Sequence, residues 1–292
     1  MSLIIKNILK KGVAKGHSQL LSKSEINELE NLIKKLYEDN SKEIKVFNNI
    51  IGLDKKLDKL LEKILTNSEI QSTLLKLLGK DYLLRHASAR FNDHNDKGLA
   101  MHQDSLGEVS LTFLVNNQNE GSTFFFPGSQ LFPSNKNLAS KVSWSSLKVL
   151  NLLNFFILKA RGEAGSYYYF INRTWHGRLP GKINKKNLSL FFAFFPVAAK
   201  RKDLITSDIE YNSKINLATI TEPNLKKILS RENYKKAIDN YNYSKNGISL
   251  SMQVNRYSTI FKNSMYFILV VLKLFFLEII FFPIKIKRFL KL

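Results

Sequence analysis

The chain has 292 residues, a net charge of +21 and no cysteine. The missing thiols exclude a disulfide framework, Cys-ligated zinc, Fe–S clusters and a thiol nucleophile, and a 44% hydrophobic content with 21 phenylalanines excludes a disordered polyelectrolyte. A field of that sign attracts nucleic acid, anionic lipid or anionic small molecules, but the lysines are spread along the whole chain with no RGG, zinc-finger or RNP-type motif beside them, which points away from nucleic acid.

In chain order, residues 1–15 hold a short apolar group (Leu3, Ile4, Ile5, Ile8, Leu9) broken by Lys6 and Lys10, too short and interrupted for a signal peptide. We expect a cytoplasmic protein. Ser22 and Glu25 have the spacing of a capping box, and Ile26, Leu29, Ile33 and Leu36 recur at helical intervals, so Ser22–Glu38 is an amphipathic helix. Further helices are expected from Leu53 to Leu65 and from Ile70 to Leu78, the last stopped by Gly79. These three should pack outside the sheet that follows.

From Tyr82 to Pro196 short apolar runs alternate with Asn, Asp, Gly and Pro. Strands are expected at Tyr82–Phe91, Ala100–Asp104, Val109–Val115, Ser122–Phe126, Ser166–Ile171 and Leu188–Phe195. Short strands at regular spacing argue for a β-sandwich or barrel rather than βαβ units. Leu147–Lys159 fits either an inserted helix or another strand. Beyond Lys200 the strand signal fades: Asn224–Tyr241 reads as helix and Asn242–Asn255 as a polar linker.

Met265–Phe282 is long enough to cross a bilayer. Its Leu, Ile, Val and Phe residues contribute about −6 kcal/mol to insertion, while Lys273 and Glu278 oppose with roughly +2.5 to +3.5 kcal/mol each. The near cancellation, with Lys285, Lys287, Arg288 and Lys291 following, favours an interfacial or re-entrant anchor on an anionic membrane surface over a full span. A helix buried against the barrel or in a dimer interface is the soluble alternative.

The chemistry centres on His102-Gln103-Asp104. Residues two apart on a strand share a face, so an imidazole and a carboxylate project together. They are two thirds of a 2-His-1-carboxylate site for non-haem Fe(II). Far downstream, His176 is expected in a loop at the end of a strand, and a closed barrel can bring it to the same end as His102 and Asp104.

Several blocks occur in an order that resembles the phytanoyl-CoA dioxygenase family of Fe(II)/2-oxoglutarate-dependent oxygenases. Gly16–Leu36 (GHSQLLSKSEINELENLIKKL) is similar to that family's N-terminal Gly-led strand and helix. Arg90-Phe91 precedes Met101-His102-Gln103-Asp104, as an Arg-containing strand precedes the family's His-x-Asp. Gly121–Gln130 (GSTFFFPGSQ) matches its G-x-h-x-h-x-P-G-S-H block with Gln130 at the usual His. Gly162–Phe170 (GEAGSYYYF) followed by Trp175-His176-Gly177 matches the distal-His block. The resemblance covers residues 16–196.

It implies a mainly β fold with flanking helices: a double-stranded β-helix, the jelly-roll or cupin-like barrel, followed here by a helical C-terminal tail. Residues 1–210 would form the oxygenase domain, 211–255 a helical or linker segment and 256–292 the apolar-basic tail. It implies Fe(II) held by His102, Asp104 and His176, with open positions for 2-oxoglutarate and O2, and hydroxylation of a small-molecule substrate as the default outcome; a C-terminal membrane anchor would make that substrate a lipid or lipid-linked molecule. The protein would then be cytoplasmic or peripheral at the inner face of a membrane.

The chain departs from the family at one place. An Arg usually follows the distal His, in R-x-S-L, and binds the far carboxylate of 2-oxoglutarate as a planar fork. Here the text is Asn187-Leu188-Ser189-Leu190. Lys185, with the same strand parity, is the first substitute; Arg178 and Lys186 follow, with Lys182 also near. Arg90 is either a contact to the co-substrate or a structural ion-pair partner, and Ser189 completes the candidate set. The gap at Asn187 also supports another reading, a degenerate barrel that binds a ligand or partner at a membrane without turnover.

Overall fold

The computed structural model describes residues 2–39, 46–48, 50–79, 82–104, 108–131, 157–182, 186–196 and 221–224. The expected insertion up to residue 156, Lys185, the helix over 225–241, the linker and the apolar-basic tail lie outside the described residues. Among the described residues no helix is long and apolar enough to cross a membrane.

Four helices precede most of the β structure. Helix α1 (Leu3–Lys11) is capped by the Ser2 hydroxyl and ends at Gly12, whose φ of 76° suits a residue without Cβ. The first residues are thus a helix: Ile4, Ile5, Ile8 and Leu9 are buried on one face, and Lys6 and Lys10 belong to its other side. Helix α2 (Lys23–Asp39) begins with the expected capping box. Ser22 N–H donates to Glu25 at 2.8 Å and Glu25 N–H to the Ser22 hydroxyl at 3.3 Å. Helix α3 (Lys55–Leu65) is capped by Asp54 and helix α4 (Ser68–Leu78) by Asn67.

The barrel is two antiparallel sheets. One has the order β1 (Val13–Lys15), β8 (Tyr167–Ile171), β5 (Val109–Leu114), β10 (Asn187–Pro196), β3 (Tyr82–Asn92), β2 (Val46–Asn48). The other runs β4 (Leu99–His102), β9 (His176–Arg178), β6 (Thr123–Phe125), β7 (Leu158–Lys159). From β3 onward successive strands are shared between the two sheets, the winding of a double-stranded β-helix. The six expected strands are present, with ends shifted by one or two residues.

The larger sheet is covered on both faces, so β5 and β8 are buried along their whole length. Val109, Leu111, Phe113, Tyr167, Tyr169, Leu188, Leu190 and Phe192 pack with the apolar faces of α1 to α4. The alternate residues turn inward. Leu114, Tyr168 and Phe170 meet Phe125 of the other sheet and Ala160 just past β7, with the Phe125 and Phe170 rings 4.9 Å apart. This split decides which side chains can reach a site inside the barrel. One irregularity adds to it: Ala193 pairs with His86 but Phe194 with Leu84, so Arg85 is the extra residue of a bulge. Arg85 and His86, although adjacent, both line the interior cavity.

Asp58 of α3 is buried and accepts the Gly52 N–H at 2.8 Å. Burial, with the charges of Glu222 and Asp54, pushes its carboxyl up to about 6 against the opposing Gly52 hydrogen bond. A carboxyl whose folded value is raised holds its proton longer in the folded state, so folding stability falls as pH rises from about 4 through 6. Asp58→Asn keeps an oxygen for Gly52 and removes the buried charge. We expect it to be about 1–3 kcal/mol more stable than the parent at pH 7 and no more stable at pH 4, by urea unfolding. Equal midpoints at both pH values would contradict this.

Candidate metal centre

His102 ends β4 and His176 opens β9, and the two are cross-strand partners in the smaller sheet. His176 therefore lies in a strand rather than in the expected loop. Its strand is three residues long and too short to show a period in sequence. Asp104 lies just past the end of β4, where its N–H donates to the Asn172 carbonyl at 2.9 Å.

One ligand atom from each of His102, Asp104 and His176 lies within 4.8 Å of the others. His102 Nε2 is 3.5 Å from one Asp104 oxygen and His176 Nε2 3.2 Å from the other. The imidazole centroids are 4.4 Å apart. His176 is buried while Asp104 is exposed, so the group opens to solvent on the carboxylate side. Burial disfavours the charge on Asp104, but the hydrogen bond to His176 and the charges of His176, His102 and Arg85 outweigh it and hold the carboxyl well below its usual range.

The donor set decides what this group can hold. His176 Nδ1 is 2.7 Å from the Thr174 carbonyl. That oxygen can only accept, so Nδ1 carries a hydrogen, and Nε2 is the nitrogen left to give a lone pair to a cation. A lone pair facing a carboxylate oxygen at 3.2 Å is favourable only with a proton or a cation between them. Two imidazole nitrogens and a carboxylate on one side of a common point suit a divalent transition metal with open positions. The Thr174 carbonyl is the outer partner that fixes the ring, as outer partners of metal-binding histidines do.

The support behind the triad was not legible in sequence. Thr174 donates its hydroxyl to the Gly12 carbonyl at 3.0 Å. A Cβ on Gly12 would come within 2.1 Å of that hydroxyl oxygen. In the PGS turn, the Ser129 hydroxyl donates to the Phe126 carbonyl at 2.6 Å and accepts the Trp175 N–H at 2.8 Å. Gln130 donates to the Leu9 carbonyl at 3.1 Å. Both side chains are buried, Ser129 holding the segment ahead of His176 through Trp175 and Gln130 holding the end of α1; neither lines the cavity beside the triad. On the other side, Glu108 accepts from Arg85 at 3.0 Å and from Asn172 at 2.9 Å.

That cavity has a volume of about 260 Å³, and its wall includes Arg85, Arg90, Thr123, Phe170, Arg178 and Phe191. Of the other candidates, Arg178 is held by Asp96, with Nε–Oδ2 at 2.8 Å. Ser189 is buried, accepts the Gln118 amide at 2.9 Å and lies outside the cavity wall. Lys182 pairs with Glu120. Lys186 is exposed and lines a separate cavity together with Lys182, Asn92 and Asn187. The structure thus brings Arg90 and Arg178 to the triad's cavity and leaves Lys186 and Asn187 at another.

No protein-family model matches the sequence, and no curated protein matches it. Solved structures do. HygX from Streptomyces hygroscopicus, solved with nickel and 2-oxoglutarate bound, superposes with a TM-score of 0.54 at 11% identity, covering 68% of this chain and 88% of HygX. EctD from S. alaskensis, solved with 2-oxoglutarate and 5-hydroxyectoine, gives a TM-score of 0.52 at 15% identity over 68% of this chain and 77% of EctD. The non-haem alpha-ketoglutarate-dependent epimerase SnoN from nogalamycin biosynthesis gives 0.52 at 13% identity over 67% of this chain and 82% of SnoN. At these identities the likeness is one of fold.

Proposed function

We propose that the protein is an Fe(II)- and 2-oxoglutarate-dependent oxygenase that hydroxylates an organic substrate. The observation that carries this reading is the triad: three ligand atoms within 4.8 Å, with the Thr174 carbonyl committing His176 to present Nε2. The fold shared with enzymes solved in complex with metal and 2-oxoglutarate supports it, as does the sequence resemblance to the phytanoyl-CoA dioxygenase family. SnoN, an epimerase on the same fold, marks why hydroxylation belongs to the proposal.

In this reading His102 Nε2, His176 Nε2 and an Asp104 oxygen would hold the metal. When bound, iron with 2-oxoglutarate supplies the oxidising chemistry, and the net reaction of R–H, 2-oxoglutarate and O2 gives R–OH, succinate and CO2. Asp104, the exposed member, puts the substrate entrance on its side. Phe170 and Phe191 give the inner cavity apolar walls, which keep water from the reacting centre. Asn187 favours a second reading, a barrel that holds its ligand without turnover.

The full-length protein with Fe(II), ascorbate, O2 and 2-oxoglutarate is expected to form succinate above background even without prime substrate, and His102→Ala to form none. Binding of 2-oxoglutarate without succinate would favour the second reading. Neither binding nor succinate, with metal in place, would sink the proposal.

A further inference from the structure

Three arginines line the cavity beside the triad, and two are already paired: Arg85 with Glu108, Arg178 with Asp96. Arg90 differs. Among the described residues its side chain makes no ion pair and no hydrogen bond. Its Nε is enclosed without a partner, and its guanidinium lies 4.3 Å over the Phe191 ring. Burial and the nearby Arg178 pull the group down to about 10, with Asp104 and Asp96 opposing at range. An enclosed cation without a counter-ion is costly unless something else supplies the negative charge.

The strand register says where that charge would sit. On β3, Arg90 is directly opposite Ser189 of β10, and Asn92 is opposite Asn187. Arg90 therefore stands one strand over and one inward-facing position along from the place where the resembling family carries its arginine. Asn187 itself opens to the other cavity.

Resting on the iron and 2-oxoglutarate reading above, we infer that Arg90 binds the carboxylate of the co-substrate remote from the metal, replacing from β3 the arginine absent at position 187. A guanidinium offers that carboxylate two parallel N–H donors. The Phe191 ring, 4.3 Å from the guanidinium carbon, supports the fork from one side. Arg178 adds positive potential while Asp96 keeps it in place.

The test is anaerobic titration of Fe(II)-loaded full-length protein, following the visible charge-transfer absorption of a chelated 2-oxo acid, with calorimetry as a second readout. Arg90→Ala is expected to weaken 2-oxoglutarate binding about 100-fold or more and to leave metal affinity unchanged. Pyruvate chelates through the same 2-oxo acid group but lacks the remote carboxylate, so its affinity should be equal in both proteins. Arg90→Lys should bind 2-oxoglutarate between the two. Parental 2-oxoglutarate affinity in Arg90→Ala would overturn the inference and leave the oxygenase reading standing. Parallel loss of pyruvate and metal binding would make Arg90 structural and overturn it equally. If the parent protein with metal in place binds no 2-oxoglutarate, the oxygenase reading itself falls.

Discussion

Asp104→Ala is expected to abolish succinate formation and to weaken divalent-metal binding by more than about 100-fold. Losing an outer partner of a metal ligand typically costs 10–100-fold in affinity, and loss of a ligand exceeds that. Asp104 is also the one anionic member of the triad, and in the free protein it balances two imidazoles at 3.2 and 3.5 Å. A readout independent of turnover is thermal unfolding with Ni(II) or Co(II). A metal at 100 times its dissociation constant adds about 2.7 kcal/mol to folding stability by mass action. The parent should show that stabilisation over its own metal-free midpoint and Asp104→Ala should not. Metal stabilisation retained in Asp104→Ala would place the ion elsewhere.

What the sequence reveals about this fold follows from element length. The inward and outward sides of α2, α3 and α4 repeat over three or more turns, and their caps are spelled out by Ser22, Asp54, Asn67 and Gly79. Helix α1 carries the same information in nine residues: Lys6 and Lys10, which look like interruptions of an apolar stretch, are four apart and belong to one face. Strands β1, β2, β7 and β9 have two or three residues each, too few for alternation to appear. They nonetheless matter, since β9 carries His176 and β1 ties α1 to the turn behind it.

Strands buried on both faces pose a different problem. Tyr167–Ile171 and Phe191–Phe194 read as continuous apolar runs, so their text does not say which residues look into the barrel, whereas Val109–Leu114 alternates, with Ser110 and Thr112 on the inward side. His102, Asp104 and His176 could be found because their residue types are few and their order informative. Arg90 is a candidate in sequence with two roles open; pairing places it opposite Ser189, with Phe191, which sequence does not single out, the next inward position on β10. Asn172, Thr174 and Glu108 have no signature of their own. They act through backbone carbonyls and one another, and a sequence does not display which carbonyl will be near.

Of these supporting residues, Glu108 should matter most. It has no exposed surface, and its carboxylate accepts Arg85 at 3.0 Å and the Asn172 amide at 2.9 Å. Asn172 then spends every polar group it has. Its N–H donates to the Glu108 carbonyl at 3.0 Å, its side-chain oxygen accepts the Ser110 hydroxyl at 2.6 Å, and its carbonyl accepts the Asp104 N–H at 2.9 Å. The chain of bonds from Arg85 to Asp104 therefore passes through one asparagine. Removing one partner of a buried pair costs about 3–5 kcal/mol. Because a quarter of the Arg85 side chain is exposed, Glu108→Ala should fall near the lower end of that range. Glu108→Gln, which keeps an acceptor for Asn172, should cost less. Each should also weaken metal binding, Glu108→Ala by about 10–100-fold, because the Asn172 carbonyl that places Asp104 loses its support. Chemical unfolding without metal and Co(II) titration of the folded variants separate the two effects. A stability loss with metal affinity unchanged would show that the network braces the barrel and leaves Asp104 to be positioned by His102 and His176 alone.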